Sequence, residues 1–308
     1  MTIVISCLTE RYVLQVSDRR LTQVGSGRPV PGEFNKAVLF GNSVAFAYTG
    51  LAKIGRLDTD EWLADALASG HDDNSSIVAV RDRATTAFRR LRCAPRWKAH
   101  AFVAVGWDKP PDNGGWVPWI CWISNSMDAA GRWIRPPTDS FEAHSFVLRT
   151  TPDGRALALS FVGVPLTRTE HVSLMRDLKR YVNHGVGPAL VAERLVSQVR
   201  QVARRATTVS EEVMVNAIPL LPEQFDSGEM VALSSRPVLD ALTFIRIPAG
   251  ETEGVEVGPR GAFPGGAQFF DFRARELAEP GDVEVVLGFK TPRAGEFTVG
   301  IGELGGGA

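Results

Sequence analysis

The sequence predicts an α+β protein folded as a four-layer αββα sandwich of two antiparallel sheets, with a β-rich C-terminal extension. Two observations support this class. Strand-like runs come first and two amphipathic helical patterns follow them, and the same order of strands and then two helices recurs before residue 210. Helices that follow paired strands in this way pack on the outer faces of stacked sheets.

The first fifty residues predict two hairpins. Each pairs two runs rich in β-branched and aromatic residues. Gly41-Asn42, a dipeptide favoured in tight turns, separates the second pair. The paired runs are residues 2–6 with 12–17 and residues 37–40 with 43–49.

Four helices are predicted from apolar residues at helical spacing and from start signals. They span residues 58–68, 77–91, 170–182 and 188–206. Between the two helix pairs, strands are expected at residues 101–107 and 117–123, where tryptophans leave both faces apolar. A further hairpin of residues 146–149 and 156–162 is expected around Pro152-Asp153-Gly154.

The composition changes near the end of the fourth helix. Residues 218–308 hold 8 of the 19 prolines and 15 of the 30 glycines in under a third of the chain. We therefore expect a main domain of residues 1–218 and a Pro/Gly-rich extension of residues 219–308. Short strands are expected in the extension at residues 242–247, 283–289 and 296–301.

Composition and charge argue against several partners. The formal net charge is −1, so no basic field attracts nucleic acid or an anionic membrane. The first residues lack a basic leader, and no long apolar run follows, so a soluble cytoplasmic protein is expected. The five histidines lack the spacing of metal ligands, so we expect no metal site.

The start of the chain carries the most suggestive chemistry. If Met1 is removed, Thr2 presents a hydroxyl nucleophile together with a free α-amine that accepts the hydroxyl proton. Lys36 is a candidate to lower the pKa of that amine, and Asp18 is the expected partner of a buried Lys36 ammonium. The backbone N–H of Gly50 is the candidate donor to a tetrahedral oxyanion.

Several of these residues lie in short motifs that resemble those of the proteasome β-type subunits and their bacterial relatives, which are N-terminal-nucleophile hydrolases. The motifs are Thr2-Ile3-Val4, Asp18-x-Arg20-x-Thr22, Lys36 before a strand, Ala47-Tyr48-Thr49-Gly50, and the run from Phe102 to Asp108. The resemblance covers roughly residues 2–218. It implies a ring-shaped homo-oligomer, threonine peptidase activity on peptide or protein substrates, and no metal or organic cofactor. It also implies that Thr22 and Gly50 bind substrate backbone.

Two departures from the family's pattern concern groups that orient the terminal amine. The family's serine beside the nucleophile has no counterpart in residues 163–167. Near the end of the last long helix, Ser210 matches a second family serine, whereas Thr207 stands where the family has an acid. The resemblance therefore implies that Ser210 belongs to the catalytic set while leaving the proton relay incomplete.

The expected function is a threonine hydrolase that cleaves peptide amides within a self-assembled oligomer. Two alternatives remain open: a proteasome-like assembly subunit that does not cleave, and an amidohydrolase acting on a small-molecule amide. Structural explanations are also open for single residues. Asp18 with Arg20 fits an ion pair at a strand end, Lys36 fits a solvated side chain, and Gly50 fits a turn that needs an unusual φ.

Overall fold

The computed structural model describes residues 2–22, 28, 30, 34, 36–41, 44–108, 115–134, 136–149, 151–219, 255–257, 260–263, 266, 268–276, 283–291 and 295–301. Within these ranges the α helices are α1 (Thr59–Ala68), α2 (Asp73–Arg90), α3 (Arg168–Asn183) and α4 (Pro188–Ala203). The strands up to the second helix pair are β1 (Ile3–Thr9), β2 (Tyr12–Asp18), β3 (Ala37–Phe40), β4 (Val44–Thr49), β5 (Lys53–Ile54), β6 (Leu57–Asp58), β7 (Ala101–Asp108), β8 (Val117–Ser124), β9 (Glu142–Val147) and β10 (Leu157–Gly163). The later strands are β11 (Val213–Pro219), β12 (Val255–Val257), β13 (Arg260–Ala262), β14 (Gln268–Glu276), β15 (Val283–Thr291) and β16 (Gly295–Ile301).

Two large sheets form the middle of the structure. The smaller has the strand order β10-β1-β2-β11, and its neighbours are all antiparallel. The larger has the order β16-β15-β14-β13-β3-β4-β7-β8-β9, with β12 paired to β14. Its neighbours are antiparallel except for β13 and β3, which run parallel. The strands β5 and β6 form a separate small ribbon.

Helices cover the outer face of each sheet, which confirms the four-layer αββα sandwich. The pair α1 and α2 packs on the larger sheet, and α3 and α4 pack on the smaller. Three buried apolar clusters occupy the three spaces between the four layers. Alternate residues of β1 show this arrangement, since Val4 contributes to the cluster between the sheets and Ile5 to the cluster beneath α3 and α4.

Burial on both faces explains why the central strands β1, β3, β4 and β7 are largely apolar. All seven residues of β1 and of β2 are buried. A sheet covered by helices on one side and by another sheet on the other leaves no face for polar alternation. The central strands of both sheets therefore lie in the interior of the protein.

Two sequence expectations about strand pairing need correction. Residues 146–149 and 156–162 do not form a hairpin, because β9 pairs with β8 in the larger sheet and β10 pairs with β1 in the smaller. The chain crosses between the sheets through Pro152-Asp153-Gly154. The strand β11 was not expected, although it completes the smaller sheet beside β2.

The helix expectations agree with the structure apart from their ends. The helix α2 begins four residues before the expected start at residue 77, because Asp72 and Ser75 form a capping box. The helix α4 ends at Ala203, whereas the sequence pattern extended to residue 206. None of the helices in the described residues has the length and apolar character needed to cross a bilayer.

The described segments after residue 254 continue the larger sheet. The strand β13 pairs with β3, the Arg260 guanidinium donates to Asp60 Oδ2 at 3.3 Å, and the Gln268 amide donates to Asp65 Oδ1 at 2.7 Å. The expected strand at residues 242–247 lies outside the described residues. The division between residues 218 and 219 stays a prediction.

Candidate functional site

The first hairpin brings Thr2 and Asp18 to the same end of the smaller sheet. Val4 pairs with Ser17 in the register of β1 and β2, so the next positions outward are Ile3 and Asp18. The Ile3 backbone N–H donates to Asp18 Oδ1 at 2.9 Å. The carboxylate therefore lies beside the first residues of β1.

Lys36 comes from the other sheet, directly before β3, and its side chain extends to this point. Its Nζ donates to Thr2 Oγ1 at 2.6 Å and to Asp18 Oδ2 at 3.1 Å. It also donates to the backbone carbonyl of Arg20. These three acceptors use all three donors of an ammonium group. The contacts therefore fit a charged Lys36 with each of its protons engaged.

The ion pair of Lys36 and Asp18 is completely removed from solvent. Both side chains have 0% exposed surface. A buried charge is tolerated only when it is paired and hydrogen-bonded. Asp18 meets this condition through backbone donors as well, because it accepts from Ile3, from Arg20 at 3.1 Å and from Ser210 at 3.4 Å. The solvated Lys36 that the sequence left open as an alternative is therefore excluded.

Burial also changes the proton affinity of Lys36. Loss of solvation lowers the pKa of its ammonium, since the charged form is disfavoured away from water. The negative charge of Asp18 and its hydrogen bond oppose this effect, and the nearby Arg20 guanidinium lowers the pKa further. The result is an ammonium that holds its proton less firmly than an exposed lysine, in contact with a threonine hydroxyl.

The start of β1 is also fixed from its other side, by the end of β10. The Thr2 backbone carbonyl accepts a hydrogen bond from the Val164 N–H at 2.9 Å. Gly163 has φ +101°, and a Cβ at this position would lie 1.9 Å from the Thr2 carbonyl oxygen. Only glycine fits both the backbone angle and the space. Gly163 and Val164 thus position Thr2.

Residues 163–167, which lack the serine of the proteasome-type pattern, make other contacts. Gly163 and Val164 hold the Thr2 backbone, and Thr167 provides the stretch's hydroxyl. That hydroxyl is used by a capping box at the start of α3, where it accepts from the Glu170 N–H at 3.2 Å. The stretch therefore serves the site through its backbone and the helix through its side chain.

Ser210 reaches the site through its backbone. Its N–H donates to Asp18 Oδ2, whereas its Oγ accepts from the Glu212 N–H at 3.0 Å. Thr207, which stands in place of an acid, accepts from the Arg20 guanidinium through its backbone carbonyl at 2.9 Å. Ser210 thus contacts Asp18, and Thr207 contacts Arg20, in both cases through the backbone of Ser210 or Thr207.

Gly50 directly follows β4, and the last residues of β4 contact the backbone of Lys36. The Tyr48 N–H donates to the Lys36 carbonyl at 3.2 Å. Gly50 follows two residues later and is exposed, although its neighbours Thr49 and Leu51 are buried. Its φ is +119°, in agreement with the unusual turn that the sequence left open. Thr22 is half-buried beyond the end of β2, and the hydrogen bonds described around Lys36 do not include it.

Three contributors to this site are not predictable from the local sequence pattern. The Arg20 carbonyl was missed because any residue type supplies one. Gly163 was missed as a positioning residue because the group that demands a glycine, the Thr2 carbonyl, is distant in sequence. His100, whose Nδ1 accepts from the Leu51 N–H at 3.1 Å, was noted only as lacking metal-ligand spacing.

Comparison with known proteins gives similarity at the level of solved structures. No protein-family model matches the chain. No curated protein matches it either. The chain is similar to a Gly-1 mutant of Anbu from Hyphomicrobium sp. strain MC1, with 12% identity over 71% of this chain and 82% of that chain and a TM-score of 0.43. A second structure of Anbu from the same strain has 13% identity over 70% of this chain and 82% of that chain, with a TM-score of 0.42. The chain is also similar to Anbu from Yersinia bercovieri, described as an ancestral beta-subunit, at 11% over 70% and 81% (TM-score 0.37).

Replacing Lys36 with methionine is expected to destabilise the fold strongly, because Asp18 is left as a buried charge without its cation. Loss of one partner from a buried ion pair costs about 3–5 kcal/mol. Lys53→Met is the matched control, since the side chains of Lys53 and its partner Asp58 are 65% and 52% exposed. An exposed ion pair of this kind is worth at most about 1 kcal/mol. Urea unfolding of both variants measures the difference, and equal losses would contradict the buried pair.

Replacing Gly163 with alanine is expected to displace Thr2 as well as strain the backbone. Gly41→Ala is the control, because Gly41 also has a positive φ of 55° but has open space around its Cβ position. The control should lose about 1 kcal/mol through backbone strain alone. Gly163→Ala should lose at least about 3 kcal/mol, since strain and collision with the Thr2 carbonyl add. Similar losses in urea unfolding would argue against close contact between Gly163 and Thr2.

Proposed function

We propose that the chain is an N-terminal-nucleophile hydrolase in which Thr2, once freed from Met1, attacks the carbonyl carbon of an amide bond. The observation that carries the proposal is the 2.6 Å hydrogen bond from the fully buried Lys36 ammonium to Thr2 Oγ1. A buried ion pair is a poor means of stabilising a fold, because apolar residues of similar volume do as well or better. Placed against a hydroxyl, the same pair has a chemical use.

The first step is proton transfer from the Thr2 hydroxyl to the Thr2 α-amine. An α-amine has a pKa of about 7.7–8.0 in model peptides, so part of it is neutral near pH 7. The positive charge of Lys36 is expected to lower the pKa of that amine and so to favour the neutral amine, which is the form that accepts a proton. Lys36 also stabilises negative charge that develops on Oγ1 during attack, because its N–H already points at that atom.

The later steps follow the chemistry of acyl transfer. Attack by Oγ1 moves an electron pair onto the carbonyl oxygen, and the exposed backbone of Gly50 is proposed to donate its N–H to that oxyanion. The protonated α-amine then gives its proton to the leaving amine as the C–N bond breaks. Water hydrolyses the resulting Thr2 ester and restores the hydroxyl. This sequence needs no metal or organic cofactor.

The remaining residues have supporting roles in the proposal. Asp18 keeps Lys36 charged and in place, and Ser210 holds Asp18 through its backbone N–H. Thr22 and Gly50 are proposed to bind the substrate backbone. The motif resemblance supports a peptide or protein substrate and a cytoplasmic homo-oligomer built as a ring or stacked rings.

A second candidate, an assembly subunit without peptidase activity, is favoured by the surroundings of Ser210. The Ser210 hydroxyl accepts from the Glu212 N–H, and Thr207 brings no carboxylate to the site. Orientation of a terminal amine would then depend on Asp18 and backbone groups alone. In this candidate the ion pair of Lys36 and Asp18 would only join the two sheets.

Labelling with a peptide epoxyketone, which reacts with an N-terminal threonine, separates the two candidates. We expect an adduct at Thr2 in protein whose chain starts at Thr2, and Thr2→Ala should abolish it. Lys36→Met, if folded, should slow labelling by roughly 10²–10⁴-fold, the usual contribution of a group that assists proton transfer. Peptide mass spectrometry locates the adduct.

The matched control is Thr9→Ala, at the other end of β1. Its hydroxyl is also buried, but it donates to the Tyr12 carbonyl at 2.7 Å and has no lysine partner among the described contacts. This variant should label at the wild-type rate. Labelling that persists in Thr2→Ala would place the nucleophile elsewhere, and no labelling of the wild type would favour the assembly subunit.

A further inference from the structure

The turn that carries Gly50 is held by three hydrogen bonds that involve buried residues. The Leu51 N–H donates to His100 Nδ1 at 3.1 Å. The Thr59 hydroxyl donates to the Leu51 carbonyl at 2.8 Å, and the Thr59 N–H donates to the Ala52 carbonyl at 2.9 Å. Both His100 and Thr59 are completely buried. The backbone on the C-terminal side of Gly50 therefore has little freedom.

His100 is itself fixed before it contacts this turn. Its backbone N–H donates to Asn125 Oδ1 at 3.0 Å, and its carbonyl accepts from the Ser124 hydroxyl at 2.9 Å. Its ring stacks on Tyr48 and lies against Phe88, Phe102 and Phe141. A ring held by residues at the end of β8 and by aromatic neighbours presents Nδ1 at a fixed position.

The chemistry of His100 indicates why an imidazole, and not another phenylalanine, lies among these tyrosine and phenylalanine rings. Burial lowers the pKa of His100 to about 3, so the ring is neutral at ordinary pH. Because Nδ1 accepts from the Leu51 N–H, the ring proton lies on Nε2, which has no partner among the described residues. A phenylalanine would avoid that unpaired donor. The imidazole contributes the bond to Leu51, which a phenylalanine ring cannot make.

Gly50 itself is shaped by the same histidine. A Cβ on Gly50 would lie 2.5 Å from His100 Nδ1 and 2.6 Å from the Ala99 carbonyl oxygen. The Gly50 backbone therefore packs directly on His100. A tilt of the ring would therefore collide with, or withdraw support from, the Gly50 backbone.

We infer that His100 and Thr59 are positioning residues that aim the Gly50 N–H at the oxyanion formed when Thr2 attacks. This inference rests on the proposed hydrolase function and adds to it two residues that touch neither Thr2 nor Lys36 in the described contacts. Preorganised donors stabilise an oxyanion because they need no reorganisation during the reaction. A displacement of about 1 Å in such a group costs about 10²-fold in rate.

Two conservative pairs of variants test the inference. His100→Phe keeps the ring and removes the acceptor, whereas His100→Asn places an amide oxygen near the position of Nδ1. Thr59→Val removes the hydroxyl at nearly constant shape, whereas Thr59→Ser retains it. The Thr59 pair keeps the test available if His100→Phe does not fold.

Two probes distinguish positioning from general damage. Acetyl transfer from p-nitrophenyl acetate to Thr2 passes through a tetrahedral oxyanion, whereas addition of Thr2 to phenyl vinyl sulfone, which has no peptide backbone, places no charge on a carbonyl oxygen. In His100→Phe and Thr59→Val we expect acetyl transfer to slow by 10-fold or more. We expect the vinyl sulfone rate to change by less than about threefold, since Thr2 and Lys36 are unaffected. His100→Asn and Thr59→Ser should recover most of the acetyl transfer rate.

The outcomes separate this inference from the proposed function. Equal slowing of both probes, or unchanged acetyl transfer in folded His100→Phe and Thr59→Val, would overturn the positioning roles while leaving Thr2 as nucleophile. If wild-type Thr2 reacts with neither probe, the proposed function itself fails.

Discussion

The buried ion pair between Lys36 and Asp18 is the interaction on which the arrangement of this site depends. Asp18 ends β2 in the smaller sheet, and Lys36 precedes β3 in the larger, so the pair joins the two middle layers of the sandwich. Taking two charges out of water costs several kcal/mol per ion unless every donor and acceptor is matched. That demand explains why four donors converge on the Asp18 carboxylate and why three acceptors surround Lys36 Nζ.

Both middle layers of the sandwich contribute residues to the site around the ion pair. The residues around it come from the ends of β1, β2, β4 and β10 and from the segment before β3, so the site is held by strands of both sheets rather than by a single loop. Thr2 is held by Lys36 through its hydroxyl and by Val164 through its carbonyl. Such a framework fixes the Thr2 hydroxyl, and in the proposed function the substrate approaches from the exposed side of Gly50.

Local patterns predicted the parts of the site that depend on neighbouring strands. The first hairpin was visible in the sequence, and its register is enough to bring Asp18 beside Thr2. Long-range packing decided the rest. Residues 156–162 carry a strand signal, but their pairing with β1 depends on sheet topology that no local turn encodes. Gly163 and His100 are similar cases, because their roles arise from Thr2 and Leu51, which are distant in sequence. The catalytic roles of Thr2, Lys36 and Gly50 stay proposals.

The most direct test of the account is the intact mass of the protein isolated from its natural source. A nucleophile that uses its own α-amine as base requires a free Thr2 amine, since an amide nitrogen does not accept the hydroxyl proton at neutral pH. The account predicts a mass that corresponds to a chain starting at Thr2. A mass that retains Met1 in protein able to hydrolyse an amide substrate would contradict it.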